Sequence, residues 1–252
     1  MKIVLASPWQ PRGEASRFER YYPRIQAIYD DVQVAVRPIQ HDKANQVMDA
    51  LDVHYVYYEG WSGRHTVMHL AVKSGADYIH YVDMDRLIRW VETRPDELKE
   101  TVESLQRVDC QIIGRTEAAY ATHPNNLRKT ETLPNLFFSS WFERDMDFCA
   151  GSKGFSRSAA EFILEHSPDT NSLAMDVAWP ILLKRGGFSW DYVAVEGLDW
   201  ETADRQRDSA ATAEMQAALA AEQDKETDLW DMRVRIATEI TQLGFAAMKK
   251  DL

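Results

Sequence analysis

The stretch that decides the fold is residues 78–85, which read Tyr-Ile-His-Tyr-Val-Asp-Met-Asp. Aromatic and β-branched residues dominate its first five positions, and this composition predicts a buried strand that ends at Val82. Asp83 and Asp85 follow at once, and two acids two residues apart in extended chain point to the same side. Ligands of open α/β sheets bind beyond the carboxyl ends of the strands, so we expect both acids to face a ligand. The alternative is that Asp-x-Asp only caps a turn or the next helix.

Outward from this stretch, short apolar runs alternate with helical patterns, which is typical of an α/β sheet. In the first part of the chain the runs predict strands at 2–6, 32–36, 53–58, 78–82 and 110–114. The helical patterns between them predict a helix that begins or kinks near Pro23, helices over 42–51 (capped by Asp42) and 62–74, and one that starts at Pro95.

The later part of the chain is less regular. Its segments without helical periodicity are predicted as a loop at 116–134, strands at 135–141 and 146–150, a turn at 151–154, and a strand at 188–195. Its helices are predicted from Ser156 to residue 166, over 173–185 with a kink at Pro180, and as two closing helices after residue 199. The last of these, from about Leu229, should pack back on the domain through one side.

These elements together predict an α/β fold with about seven strands. We expect a mixed, mostly parallel sheet with helices on both faces and a C-terminal helical extension. We interpret residues 1–252 as a single domain, because no repeat and no clear linker divides the chain.

Composition restricts the classes of partner. The 29 basic and 40 acidic residues give a net charge of −11, which disfavours duplex nucleic acid or an anionic membrane surface as the main partner. Cys110 and Cys149 form no pair motif, so we expect two reduced thiols in a cytoplasmic protein. Residues 3–6 are too short an apolar run for a signal peptide, and no stretch is long and apolar enough to be a transmembrane segment.

Carboxylates at a strand end favour a hard divalent cation. Mg²⁺ and Mn²⁺ prefer oxygen ligands and often hold a substrate diphosphate with few protein ligands. The sequence therefore predicts a Mn²⁺ or Mg²⁺ site at Asp83 and Asp85.

The segment from Gly60-Trp61-Ser62-Gly63-Arg64 through Gly75-Ala76-Asp77-Tyr78-Ile79 to Asp83-Met84-Asp85 resembles the GT-A-fold nucleotide-sugar glycosyltransferases of the D-x-D type. The resemblance covers about residues 1–200. It implies that Asp85 binds the metal directly and that Asp83 contacts the ribose or the hydration shell of the metal. It also implies a nucleotide-sugar-binding half at about 1–115, an acceptor half at about 116–200 and C-terminal helices at about 201–252.

A second match lies downstream, where residues 151–157 resemble the "G-x-x-x-F-x-R" turn of the acceptor side of the family. Asp176 then falls where inverting members carry a catalytic carboxylate, so the resemblance implies that Asp176 is the base. The chain departs from the family in having Met175 before this acid, no Gln-x-x-Arg-Trp motif and no histidine after His166. Asp199 and Glu201 are rival bases, and a plain helix N-terminal acid is the alternative for Asp176.

Other residues are candidates for the donor site. Ser7, Pro8 and Trp9 end the first strand, where the nucleobase and ribose site of the family begins. Arg64, like Arg12 and Arg17, could bind phosphate through two hydrogen bonds, with an ordinary surface arginine as the alternative. Lys153 and Arg157 flank a glycine turn and could meet the diphosphate or an acidic acceptor.

The function implied is metal-dependent transfer of a sugar from a nucleotide-diphosphate donor to an acceptor hydroxyl, with inversion favoured over retention. A non-catalytic sugar-nucleotide-binding protein of the same fold is an alternative. A nucleotidyltransferase would share the fold, but residues 7–12 contain no glycine and lack its glycine-rich loop. A phosphatase with an Asp-x-Asp nucleophile is disfavoured, since its pair should follow the first strand.

Overall fold

The computed structural model describes residues 1–38, 43–60, 62–167 and 175–252. Within these ranges seven strands form one sheet. In chain order they are β1 (Ile3–Trp9), β2 (Asp31–Val36), β3 (His54–Tyr57), β4 (Tyr78–Val82), β5 (Cys110–Arg115), β6 (Ser152–Ser156) and β7 (Trp190–Val195).

The spatial order of the strands is β3-β2-β1-β4-β6-β5-β7. β6 runs antiparallel to both of its neighbours, and the other pairings are parallel. The predicted mixed, mostly parallel sheet is therefore confirmed. Because β1, β3 and β4 share one direction, their carboxyl ends meet at one edge of the sheet.

The helices, again in chain order, are α1 (Ala15–Ile28), α2 (Ala44–Ala50), α3 (Gly63–Lys73), α4 (Met84–Thr93), α5 (Pro95–Ser104), α6 (Glu117–Ala121), α7 (Asn125–Phe142), α8 (Arg157–His166), α9 (Met175–Arg185), α10 (Ala213–Gln223) and α11 (Thr227–Lys249). A short 3-10 helix, Glu201–Asp204, follows β7. In the described ranges, no helix combines the length and the apolar character that crossing a membrane requires.

Two apolar clusters cover opposite faces of the sheet. Val4 and Ala6 of β1 pack with side chains of α3, α8 and α9. Ile3 and Leu5 point the other way and pack with α1, α4 and α5, as the alternation of side chains along a strand requires. The expected helices on both faces are confirmed. Cys110 and Cys149 are buried free thiols.

The chain at Asp83 departs from the prediction of extended backbone through residue 85. Asp83 itself is extended, but Met84 already begins α4, whose buried face includes Leu87 and Val91. The helix starts here because apolar residues recur at helical spacing directly after the strand. Asp-x-Asp thus does stand at a helix start, and both acids still lie at the carboxyl edge of the sheet.

The loop predicted at 116–134 and the strands predicted at 135–141 and 146–150 are wrong. Thr116 caps α6 by accepting a hydrogen bond from the Ala119 backbone, and α7 then runs through Pro134. The buried positions of α7 include polar Asn126 and Glu131, so the sequence does not show the alternation of apolar and polar faces by which an amphipathic helix is recognised. Residues 146–150 are irregular.

The turn predicted at 151–154 is also wrong, because Ser152 begins the central strand β6. This strand pairs on both sides, with β4 and with β5. Gly154 lies against the Leu105 side chain, where a Cβ atom would collide. Close packing, rather than a change of chain direction, explains this glycine.

Several other predictions are confirmed. The Ser156 side chain caps α8, and α9 contains Pro180 within its range. The two closing helices are α10 and α11, and α11 contacts α7 and α9. The proposed cap Asp42 and the predicted helix start at residue 173 lie outside the described residues.

Candidate functional site

A cleft of about 350 Å³ opens at the carboxyl edge of the sheet. It is bounded by the end of β1, the residues after β3 and β4, the 3-10 helix and α11. Its charged lining residues are Arg12, Arg64, Asp83, Asp85, Arg86, Glu131, Asp176, Glu201, Arg205 and Arg233. The structure therefore brings both acids of the Asp-x-Asp pair and Asp176 into one cavity.

Asp83 is held by groups on three sides. The Tyr81 hydroxyl donates a hydrogen bond of 2.7 Å to Oδ1. Oδ2 lies 3.5 Å from Nη2 of Arg64 and 3.9 Å from Nε of Arg86. These contacts fix the carboxylate at the mouth of the cleft while leaving part of it open to a ligand.

Asp85 and Glu201 form an acidic pair across the cleft. Burial, followed by the charge of Glu201, raises the pKa of Asp85 to about 7, although Arg12 lies 3.5 Å from its Oδ2. Burial opposes the ionisation of Glu201, but the Arg86 cation and the hydrogen bonds to the carboxylate together outweigh it and hold the pKa of Glu201 below its usual value. Two nearby carboxylates that repel each other are what a divalent cation neutralises.

The donor set fits a hard cation. Oε2 of Glu201 is buried and has no hydrogen-bond partner in the described part of the chain. The described ranges contain no ready cluster of three or more His, Cys, Asp or Glu side chains for a metal. Asp85 and Glu201 supply carboxylate oxygens, and Mg²⁺ or Mn²⁺ takes one or two carboxylates and completes its coordination with water and substrate phosphates.

Arg64 and Asp176 form a buried ion pair, with 2.9 Å between Nη1 and Oδ2. Nζ of Lys153 lies 3.0 Å from the other carboxylate oxygen of Asp176. Burial opposes ionisation of Asp176, but the Arg64 and Lys153 cations outweigh it and hold its pKa below the usual range. Asp176 is thus a stabilised carboxylate with a low proton affinity. Lys153 is buried and does not line the cleft.

Gly151 makes room for the pair of Asp83 and Arg86. Its φ of 66° lies in the left-handed region, and its carbonyl accepts a hydrogen bond from the Asp83 backbone. A Cβ atom on Gly151 would lie 2.6 Å from Nη1 of Arg86 and 2.7 Å from Oδ2 of Asp83. Only glycine leaves these two side chains in place.

The other predicted donor residues have mixed placements. Pro8 and Trp9 line the cleft. The Ser7 side chain does not line it, because the hydroxyl is buried and donates to the Val82 carbonyl at 2.7 Å. Arg157 lies away from the cleft: β6 is antiparallel to β4, so Ser156 pairs with Tyr78 at the opposite edge from Asp83.

The segment that carries Glu201 is anchored by two buried arginines. Arg89 forms two 2.6 Å hydrogen bonds to the Asp199 carboxylate and one of 2.8 Å to Asp204. Arg17 lies 3.0 Å from Asp204 and 2.6 Å from Glu92. Asp199 is therefore a structural anion rather than a base, and Arg17 is not a phosphate ligand. Glu201 faces the cleft between the two anchors.

Sequence reasoning missed Arg205 and Arg233 as cleft residues. Burial lowers the pKa of both guanidinium groups. In the described residues neither side chain makes a hydrogen bond or an ion pair. Arg233 interrupts an otherwise apolar stripe of α11, and this break in the pattern was the available signal.

No protein-family model and no curated protein sequence matches the chain. Solved structures do. A glucosyl-3-phosphoglycerate synthase from Mycobacterium tuberculosis aligns over 93% of this chain and 81% of its own, at 12% identity and a TM-score of 0.54. The same synthase with Mn²⁺, uridine diphosphate and phosphoglyceric acid aligns over 93% and 79%, at 11% identity and a TM-score of 0.56.

A further structure, described as a mycobacterial protein, aligns over 93% of this chain and 75% of its own, at 13% identity and a TM-score of 0.54. At these identities the likeness concerns the fold. The chain has a GT-A-like fold, with a mixed and mostly parallel seven-stranded sheet.

Proposed function

We propose that this protein is a metal-dependent glycosyltransferase that moves a sugar from a nucleotide-diphosphate donor to an acceptor hydroxyl. The observation that carries the proposal is the position of Asp83 and Asp85 in the cleft at the carboxyl edge of this sheet, together with the Glu201 oxygen that makes no hydrogen bond in the described part of the chain. Similar structures that hold Mn²⁺ and uridine diphosphate support it.

Asp85 and Glu201 would hold Mn²⁺ or Mg²⁺, and Asp83 would contact the ribose or the hydration shell of the metal. The bound cation would act as a Lewis acid that neutralises the departing diphosphate. Arg12 and Arg205 lie at the same end of the cleft and add positive charge where the diphosphate charge develops. Pro8 and Trp9 form the wall against which the nucleoside would lie.

Asp176 is the proposed base, and Arg64 controls its proton affinity. Arg64 and Lys153 hold Asp176 as a weak base. A donor diphosphate competes for the Arg64 guanidinium, which suits phosphate geometry. Each contact that Arg64 makes with phosphate loosens its hold on Asp176, so the carboxylate accepts the acceptor proton only when the donor is bound. A carboxylate that deprotonates the acceptor hydroxyl suits direct displacement with inversion, which proton NMR of the product anomer would test.

The experiment is calorimetry with UDP- and GDP-sugars in the presence and absence of Mn²⁺. We expect metal-dependent binding of at least one donor and its loss in Asp85→Asn. Asp96→Asn, at an exposed acid in the first turn of α5, is the control and should bind normally. The proposal fails if no nucleotide sugar binds the wild-type protein or if Asp85→Asn binds as well as Asp96→Asn.

The second candidate is a sugar-nucleotide-binding protein without turnover. The two ion pairs of Asp176 favour it, since they leave that carboxylate without free basicity in the resting site. Release of nucleoside diphosphate with metal and acceptor present distinguishes the two: the transferase releases it, whereas the binding protein retains intact donor.

A further inference from the structure

One face of α11 lines the cleft. The residues on this face are spaced by three, four, seven and eleven positions from the first, which places them on one stripe of a helix: Leu229, Met232, Arg233, Ile236 and Ile240. Further along, the same helix is packed, with Gly244 against the Phe138 ring. The first half of α11 therefore presents an apolar surface with one cation to the cavity.

Arg233 differs from the other arginines in this part of the cleft. Arg64, which also lines the cleft, pairs with Asp176 at 2.9 Å, and the fully buried Arg115, which lies behind the cleft wall, pairs with Glu131 at 2.6 Å. Arg233 makes neither a hydrogen bond nor an ion pair within the described residues. A guanidinium that is partly desolvated and unpaired is unfavourable unless a ligand completes it.

The charges around Arg233 leave room for a ligand anion. They are the carboxylates of Glu131 and Glu201 and the cations of Arg86 and Arg115. Glu131 is already bound to Arg115 at 2.6 Å, and Glu201 faces Arg86 at 3.8 Å. Both acids thus have an arginine partner other than Arg233, whose own guanidinium forms no ion pair within the described residues.

The donor occupies the other end of the cleft. After burial, the charges that most affect the pKa of Arg205 are those of Arg12 and Asp85, whereas Glu131 has the largest such effect on Arg233; the charge of Glu201 acts on both arginines. If the cation and diphosphate lie at Asp83 and Asp85, the α11 face is the part of the cavity left for the second substrate.

We infer that the acceptor is a hydroxyl-bearing molecule with an apolar body and an oxyanion group. Arg233 binds the oxyanion, and Met232 and Ile236 contact the apolar body. This inference rests on the proposed function, because it assigns the acceptor of the same reaction.

The test uses three probes: 4-(hydroxymethyl)benzoate, its methyl ester and glycerate. They separate charge from apolar contact, since the ester lacks the charge and glycerate lacks the ring. Affinities are measured by calorimetry on protein saturated with Mg²⁺ and the nucleoside diphosphate that it binds. We expect the benzoate to bind more tightly than the ester by about tenfold or more, because charge-assisted bidentate hydrogen bonds are the strong ones.

Matched variants of α11 assign the effect. Arg233→Gln should remove the preference for the acid, whereas Arg235→Gln should keep it, because Arg235 is 78% exposed and pairs with Asp231. Ile236→Ser should weaken the benzoate but not glycerate, and Val234→Ser, at a residue 52% exposed, should weaken neither.

The outcomes are separable. Equal affinity for the acid and the ester overturns the inference, as does equal behaviour of Arg233→Gln and Arg235→Gln. If the nucleoside diphosphate and metal bind but none of the probes does, the inference is wrong while the proposed function stands. If the nucleotide and metal do not bind the wild-type protein, the proposed function itself fails and the inference falls with it.

Discussion

Arg64 and Asp176 are joined by a buried contact of 2.9 Å, although α3 and α9 lie far apart in the chain. The same guanidinium reaches Oδ2 of Asp83 at 3.5 Å. Arg64 thereby links the acid of the Asp-x-Asp pair to the candidate base. The charge at Asp83 and the proton affinity of Asp176 are therefore coupled through the Arg64 side chain.

Asp176→Asn should destabilise the protein. It leaves Arg64 and Lys153 as buried cations without their carboxylate, and breaking a buried pair in this way costs about 3–5 kcal/mol. Urea denaturation measures the loss in free energy of unfolding. Asp145→Asn, at an exposed acid, should change it by less than about 0.5 kcal/mol. Equal stability of the two variants would show that the ion pairs contribute little.

Gly151→Ala should impair metal and donor binding. A Cβ atom there would push on Asp83 and Arg86, and the φ of 66° adds backbone strain of about 1–2 kcal/mol. Gly187→Ala is the control: its φ is 79°, and nothing lies within 4 Å of the added atom. Both variants should lose stability, but only Gly151→Ala should lose Mn²⁺ affinity in calorimetry. Loss in both would assign the effect to backbone strain alone.

Arg89→Met should disturb the Glu201 segment. The change leaves the buried carboxylate of Asp199 without a cation and Asp204 with Arg17 alone, at a cost of about 3–5 kcal/mol. We also expect weaker Mn²⁺ binding, because the 3-10 helix loses an anchor. Arg94→Met breaks only a half-exposed pair with Glu196 at 3.8 Å, which is worth about 0–1 kcal/mol. If both variants melt alike in thermal denaturation, the Arg89 network does not hold this segment.

Acid should destabilise the protein through its buried histidines. Burial lowers the pKa of His80 and of His123 to about 3. Between that pH and the ordinary histidine pKa, these side chains are protonated in the unfolded chain but neutral in the folded protein. Their contribution to stability is complete above pH 6.5 and is lost as the pH falls toward 3. Each histidine contributes a slope of about 1.4 kcal/mol per pH unit in that range.

His123→Gln isolates one of these contributions. It should reduce the slope of unfolding free energy against pH between about 6 and 4 by roughly 1.4 kcal/mol per unit. His69→Gln, at an exposed histidine, should leave the slope unchanged. Urea denaturation at several pH values makes the measurement. An unchanged slope in His123→Gln would mean that His123 is protonated in the folded protein.

The amino-terminal half was predictable because its strands are short apolar runs that can be recognised from neighbouring residues alone. β4 was predicted at its observed bounds, and its acids lie at the expected edge of the sheet. α7 was not predictable, because Asn126 and Glu131 occupy buried positions that an amphipathic pattern would give to apolar residues. Those polar groups are tolerated only through partners far away in sequence, as when Glu131 meets Arg115.

For the site, the sequence by itself determined which acids stand at the strand end and that Asp176 lies on a helix, since both depend on neighbours in the chain. Only the tertiary structure decided that Lys153 supports Asp176, that Arg157 lies at the opposite edge, and that Arg233 enters the cleft. The direction of β6 and the packing of α11 set these placements. Both arise from contacts between segments that are distant in the chain, and the pattern of neighbouring residues does not show which distant segments will make contact.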